Sequence, residues 1–173
     1  MLKPIAKLFI ALNGNLKKGQ IAAGFAWGIL LGLIPTGNFF WIILFLVSFI
    51  LRHHHASKLL VFAIIKIFIT SINPALDNFG WYILNDIKIL YPIFTTMYNI
   101  PFVPLTGFNN TLVMGGLVSG LILFLPVFIL VLNLIPLYRN KLLPKIRGLK
   151  VMNFIKKVPI LAPIINLITK VKG

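Results

Sequence analysis

The residues best suited to chemistry in this sequence are a lysine and three polar residues that follow it within one long apolar segment. Successive residues on a helix turn by about 100°, so Thr70, Asn73 and Asp77 would share one side with Lys66 if the helix continues through Pro74. Ionisable residues inside an apolar helix are candidates for binding an ion or a solute. The alternative is that Lys66 extends to the lipid headgroups and Asp77 caps a neighbouring helix. The sequence leaves both interpretations open.

A second candidate site is a polar turn in the middle of an apolar run. Residues 21–51 contain no charge, and Pro35 is followed there by Thr36, Gly37 and Asn38. Proline and glycine close together, with polar neighbours, are typical of turns. A turn at membrane depth must be covered by protein or line a wet cavity, and helix ends that point at it can bind an ion or solute. A plain structural turn is the alternative.

Other kinds of site are not supported by the sequence. His53, His54 and His55 are the only histidines; on a helix they would point in different directions, and no acid or cysteine lies near them. We therefore expect no metal site and no cofactor. Asp77 and Asp86 are the only acids, and there is no phosphate-binding loop or nucleophile motif. We therefore expect no catalytic residues and no enzymatic activity.

Composition indicates the environment in which these elements fold. The chain has 173 residues, of which 59% are hydrophobic and 11% charged, with a mean hydropathy of +0.99. Soluble proteins carry about 25% charged residues, so the solvent of this protein must be lipid. The net charge of +15 comes from cations at the ends of apolar runs, a placement that argues against nucleic-acid binding.

The polar turn divides residues 21–51 into two short helices. As one straight helix this run would be about 46 Å long, whereas the hydrocarbon core of a bilayer is about 30 Å thick. Asn38 is a good N-cap for a second helix. We therefore predict a re-entrant helical hairpin with arms 21–34 and 38–51, which enters and leaves the membrane on the same side.

Two further segments are predicted to span the membrane. Residues 59–84 form either one kinked span or two helices separated at Asn73–Pro74. Residues 112–138 can span with some tilt. Between them, residues 87–111 are interrupted by prolines, which indicates a covered loop or interfacial segment without a span.

Both ends of the chain are basic and are predicted to lie on the membrane surface. Residues 1–18 suit a short amphipathic surface helix, which completes a membrane domain of residues 1–138. Residues 139–173 form a basic amphipathic tail that would bind anionic lipids. The cations expected to contact lipid headgroups are Arg139, Lys141, Lys145, Arg147, Lys150, Lys156 and Lys157. Because Lys and Arg favour the cytoplasmic side, both termini are predicted to be cytoplasmic.

Glycines at helical spacing predict close helix packing. Gly24, Gly28 and Gly32 recur every four residues, and Gly116 and Gly120 repeat that spacing. Such faces allow backbones in lipid to approach closely. They would serve either packing within the chain or contact with a second copy.

The motif Gly28–Gly32–Pro35–Gly37 resembles a pattern found in a family of uncharacterised bacterial inner-membrane proteins. Arg52 after the second arm and the stretch containing Asp77 and Gly80 add to the resemblance, which covers about residues 15–138. It implies a small multipass protein of the bacterial inner membrane. Related domains can accompany glycosyltransferase-like enzymes of the envelope, which implies a membrane protein partner.

The expected fold is thus all-α and integral to the membrane, with a re-entrant hairpin, two spans and amphipathic surface helices at both ends. Three functions remain open. The first is a non-enzymatic scaffold or partner of envelope machinery, and the second is a small-solute or ion transporter that uses the hairpin tip and Lys66. The third is a lipid-organising role through the basic tail.

Overall fold

The computed structural model describes residues 16–142, which form helices joined by turns and contain no strand. The all-α class predicted from the sequence is therefore confirmed over this range. The surface helix predicted for residues 1–18 lies almost wholly outside the described residues. So does the basic tail, apart from its first residues, which include Arg139 and Lys141.

Five α-helices make up the described chain, numbered here in chain order. They are α1 Lys18–Leu33, α2 Phe39–Ile50, α3 His55–Trp81, α4 Tyr91–Asn99 and α5 Thr111–Leu137. A π-helical turn extends α3 over Tyr82–Asp86 and another extends α5 over Tyr138–Leu142, while short 3₁₀ turns flank α4 at Lys88–Leu90 and Val103–Thr106.

The chain breaks between α1 and α2 at the predicted turn. Asn38 is the N-cap of α2, and its side chain accepts a hydrogen bond from the backbone N–H of Trp41 at 2.7 Å. Gly37 has a φ of 92°, a left-handed conformation that glycine adopts without strain. The helix bounds match the two predicted arms to within three residues at each end.

After the break, the chain returns to the level at which α1 began. The backbone N–H of His54, which follows α2, donates to the carbonyl of Gln20 in the first turn of α1 at 2.9 Å. The indole N–H of Trp41 donates to the carbonyl of Leu31 at 3.0 Å. These contacts at opposite ends show that α1 and α2 run antiparallel.

The structure agrees with one of the two alternatives for residues 59–84 and differs from the prediction for residues 87–111. Helix α3 continues through Pro74, so residues 59–84 do not divide into separate helices. Residues 87–111 contain α4, whereas the sequence indicated only a loop or interfacial segment. Pro92 lies in the first turn of α4, where a proline costs no hydrogen bond, and Pro101 follows its end. The prolines therefore delimit a short helix.

Helix α1 lies between α3 and α5, in close contact with both. It runs parallel to α3, since Gly24 meets His54 while Gly32 meets Ile65. It runs antiparallel to α5, since Gly116 meets Leu33 and Gly120 meets Leu30. Beyond the hairpin tip, α3 and α5 continue and cross each other.

Two helical stretches among the described residues are long and apolar enough to cross a membrane: His55–Asp86 with 32 residues and Thr111–Lys141 with 31. Their apolar side chains point mostly outward, with exposed fractions of 74% at Ile67 and 62% at Leu125. A third apolar helix, Phe39–Ile50, is shorter.

Candidate functional site at the hairpin tip

The amine of Lys66 caps the C-terminal end of α1. Its Nζ donates a hydrogen bond to the carbonyl oxygen of Ile34, the C-cap residue of α1, at 2.8 Å. The last carbonyls of a helix have no partner within the helix and carry partial negative charge, so an ammonium group there supplies both a donor and a favourable charge. Phe62 lies below the amine, with 5.6 Å from Nζ to the ring centroid. Lys66 is therefore directed at the hairpin tip.

The turn residues are held by a second hydrogen bond beside that of Lys66. The Nδ2 of Asn38 donates to the carbonyl of Pro35 at 2.7 Å, so two adjacent carbonyls of the turn are satisfied by two predicted site residues. Thr36 and Gly37 are exposed at the tip. The structure thus brings Lys66 to the turn that contains Thr36, Gly37 and Asn38, and the polar groups of Lys66 and Asn38 are occupied by contacts within the chain.

Asp77 belongs to a different part of the molecule. Its carboxylate accepts a hydrogen bond from Thr111 Oγ1, at the first residue of α5, where the partial positive charge of the helix N-terminus favours an anion. Eleven residues separate Asp77 from Lys66, about 16 Å along α3. Asn73 is half-buried and Thr70 exposed between them. The predicted polar stripe therefore exists on one helix, but its two charges act at separate sites.

The predicted packing glycines lie at contacts within this chain. A Cβ on Gly24 would lie 2.6 Å from the carbonyl oxygen of His54, and one on Gly28 would lie 2.7 Å from that of Lys58. A Cβ on Gly32 would lie 2.8 Å from the side chain of Ile65, and one on Gly116 would lie 2.5 Å from the carbonyl oxygen of Leu33. The face formed by Gly24, Gly28 and Gly32 is covered by α3, so it offers no open groove to a second copy.

The sequence analysis missed a buried lysine near the other end of the hairpin. Lys58 and Ser48 are both 0% exposed, and Lys58 Nζ donates to Ser48 Oγ at 2.6 Å. The amine also lies 3.9 Å from the centroid of the Phe49 ring, a distance at which a cation is attracted to the aromatic face. The hydrogen bond and the cation–π contact together connect α2 to α3. Ser48 is the one small polar residue in an otherwise apolar helix, which is the signal that could have revealed it.

His53 is buried beside that contact. It is 8% exposed, stacks against Trp27 with 6.1 Å between ring centroids, and neither ring nitrogen has a hydrogen-bond partner. Burial lowers the pKa of His53 from 6.5 to about 4, and the positive charge of Lys58 adds to the effect. His53 is therefore neutral at pH 7.

Most cations of the described residues lie at the end of the bundle where α1 starts, with Lys66 and Lys88 as the exceptions. This end contains Lys17 and Lys18 at the start of α1 and Arg52 just after α2. Arg139 Nη2 donates to the carbonyl of Leu16 at 3.1 Å. The predicted headgroup contacts Arg139 and Lys141 thus share this end. The other predicted headgroup cations, Lys145, Arg147, Lys150, Lys156 and Lys157, lie outside the described residues.

Comparison with known proteins finds a relative without an assigned role. Over 160 residues the chain is 31% identical to an uncharacterized protein of Treponema pallidum (strain Nichols), and the alignment covers 92% of this chain and 98% of the relative. No family model matches the chain. No solved structure matches it either.

Proposed function

We propose that this chain, which belongs to the same family as the Treponema pallidum protein, is a multipass membrane protein that acts as a non-enzymatic scaffold. In this proposal α3 and α5 cross the bilayer. The hairpin of α1 and α2 enters from the basic end and returns to it. Both termini are then cytoplasmic, in the inner membrane of a bacterium.

Helix lengths support this arrangement. Helix α1 has 16 residues and α2 has 12, which correspond to about 24 and 18 Å, whereas the hydrocarbon core is about 30 Å thick. Neither arm is long enough to cross. Lys66 lies about 17 Å along α3 from His55, so the hairpin tip would lie near the middle of the bilayer.

Charge supports the orientation. Lys17, Arg52 and Arg139 lie at the end where the hairpin begins and ends, while the opposite end carries Asp86 and Lys88. Because positive residues favour the cytoplasmic side, the basic end would face the cytoplasm.

The hydrogen bond from Lys66 to Ile34 is the observation that carries the scaffold role. A transporter needs polar groups that are available to a solute, but this amine is committed to holding two helices together. The glycine faces are likewise occupied within the chain. What the protein offers to the outside is apolar helix surface, which on α2 includes Leu46 at 59% and Ile50 at 81% exposed. The partner we propose is an apolar helix of an envelope membrane protein that packs against α2.

A photo-crosslinking amino acid at Leu46, introduced into the full chain in its native membrane, tests this role. We expect a discrete protein adduct of one mass, and none from the same group at Ile67, an exposed residue of α3. Crosslinking to lipid alone at both positions would contradict a scaffold that uses α2.

A transporter is the second candidate, and one observation favours it. Lys66 is an ionisable group at a broken helix, beside the exposed Thr36, and broken helices at mid-membrane form substrate sites in transporters. Proteoliposomes that contain the purified chain and ion- or pH-sensitive dyes distinguish the two. If the protein is a scaffold, the flux into the proteoliposomes should equal the leak rate of empty vesicles. A flux above that rate that Lys66→Met abolishes would establish the transporter instead. The lipid-organising alternative rests on residues 139–173, most of which lie outside the described part of the chain.

A further inference from the structure

A groove of about 440 Å³ opens at the end of the bundle opposite the basic end. It lies between the π-helical turn after α3, one face of α4, and the loop that leads into α5. Its lining residues are Leu84, Asn85, Tyr91, Phe94, Thr95, Tyr98, Asn99, Phe108, Asn109 and Thr111. The volume falls within the range of about 300 to 1,000 Å³ that is typical of small-molecule sites.

One wall of the groove is a continuous stripe of α4. Tyr91, Thr95, Tyr98 and Asn99 recur at spacings of three, four and seven, which places them on one side of a helix. The hydroxyl of Tyr91 donates to the carbonyl of Asn85 in the opposite wall. The two walls are therefore joined by a hydrogen bond.

The base of the groove is aromatic and firmly packed. The rings of Phe94 and Phe108 lie 6.3 Å apart between centroids, and Phe108 is only 5% exposed. Phe108 packs with Ile83 and Met114 in the apolar core at this end. Phe108 is thus almost wholly buried, and the aromatic surface that a ligand can reach comes from the half-buried Phe94 and the exposed Tyr91 and Tyr98.

The polar groups around this base are neutral. Asn85 and Asn99 each donate through Nδ2 to a backbone carbonyl of their own helical segment, Trp81 and Thr95 respectively. Their side-chain oxygens remain as acceptors. Asn109 and Tyr98 add an amide and a phenolic hydroxyl, and both residues are exposed.

This combination of groups suits one class of ligand. A neutral sugar presents a ring face of C–H groups, which stack on aromatic rings, and an edge of hydroxyls, which need both donors and acceptors. None of the ten lining residues is charged, so a phosphate or carboxylate group would find no counter-charge among them. We propose that this groove binds a neutral saccharide.

The surroundings of the groove are compatible with two sources of the sugar. Ile89 and Phe102, in the turns that flank α4, are 81% and 75% exposed, which is typical of a segment that contacts lipid at the interface. A free oligosaccharide and the headgroup of a neutral glycolipid could both reach such a groove, and they present the same chemistry to it.

Saturation-transfer NMR on the full chain in phosphatidylcholine nanodiscs, prepared without glycoside detergents, tests the proposal. One arm adds methyl hexosides and disaccharides, and the other incorporates monoglucosyl diacylglycerol. We expect transfer to the sugar C–H protons in at least one arm, and the arm that responds identifies the source. Affinity should fall about three- to tenfold in Asn109→Ala, because a hydrogen bond is lost, and about tenfold in Tyr98→Ala, because a stacking surface is lost.

Matched controls are available at the same end of the molecule. Asn78 and Tyr82 are exposed residues that do not line the groove, so Asn78→Ala and Tyr82→Ala should leave the sugar signals unchanged. The proposal is overturned if neither arm shows transfer. It is equally overturned if the signals persist in both lining variants.

Discussion

The amine of Lys66 and the carbonyl oxygen of Ile34 meet at 2.8 Å although 32 positions separate them in the sequence. The contact joins the point where α1 ends to the middle of α3. It satisfies a carbonyl that the break in the chain would otherwise leave without a partner, in a region that we place inside the membrane. A charged donor there is worth more than it would be at a solvated helix end.

Replacement of Lys66 by methionine should therefore destabilise the fold. We expect a loss of about 1.5 to 3 kcal/mol in the free energy of unfolding, because a hydrogen bond from a charged donor is removed and the Ile34 carbonyl is left unpaired. Unfolding of the purified chain in mixed micelles measures the loss. The matched control is Lys88→Met, in the turn before α4, which should change stability by less than about 0.5 kcal/mol. Equal effects of the two substitutions would contradict the role given to Lys66.

Ser48→Ala should destabilise the fold, because it leaves the buried amine of Lys58 without its acceptor. We expect a loss of about 1 to 3 kcal/mol, since Lys58 would keep only its contacts with aromatic rings. The double variant Ser48→Ala, Lys58→Met should recover much of it, because replacing both partners by apolar groups removes the unsatisfied charge. Ser71→Ala, at an exposed serine of α3, should be nearly neutral. If the double variant is less stable than Ser48→Ala alone, the charge of Lys58 has a use beyond this contact.

Gly115→Ala should be among the most destabilising single-methyl changes in the protein. A Cβ at Gly115 would overlap the carbonyl of Leu76, which is backbone and cannot move without separating α3 from α5. We expect a loss of about 1 to 3 kcal/mol or more. At Gly19, where a Cβ would meet nothing within 4 Å, alanine should instead stabilise α1 by about 0.5 to 1 kcal/mol. Thermal unfolding in one detergent compares the two variants, and a neutral Gly115→Ala would show that the crossing is looser than described.

Stability should fall as pH decreases through the range set by His53. The pKa of His53 is about 4 in the folded protein and 6.5 ordinarily, so between these values the unfolded chain binds a proton that the folded chain does not. The contribution of neutral His53 to the free energy of unfolding is on the order of 3 kcal/mol in total. It is complete above pH 6.5 and is lost progressively down to pH 4. His53→Phe keeps a ring against Trp27 and should flatten the dependence. Parallel pH profiles for the variant and the original chain would refute this cause.

The break between α1 and α2 was predictable because its signals are local. A run too long for the bilayer, a proline, a glycine and a capping asparagine occur within a few residues, and each acts on the backbone where it stands. The glycine spacing likewise predicted close packing, since periodicity along one helix is visible in the sequence.

The partners of the polar residues were not predictable, because they depend on which helices meet. Lys66 contacts Ile34 and Lys58 contacts Ser48 only when α1, α2 and α3 are assembled. The sequence around either lysine does not indicate which residue it contacts. The burial of His53 has the same origin, since Trp27 comes from another helix. Helix α4, which has nine residues, was missed because three prolines and one glycine within residues 87–111 indicated a loop.

Cysteine accessibility tests the central claim, that the chain doubles back inside the bilayer, most directly. The sequence contains no cysteine, so single-cysteine variants at the exposed positions Lys17, Arg52, Lys141 and Asn109 need no altered background. A membrane-impermeant maleimide, applied to intact cells and to inverted vesicles, reports the side of each position. We predict that Lys17→Cys, Arg52→Cys and Lys141→Cys react only from the cytoplasmic side and Asn109→Cys only from the other. Reaction of Lys17→Cys and Arg52→Cys from opposite sides would contradict the account.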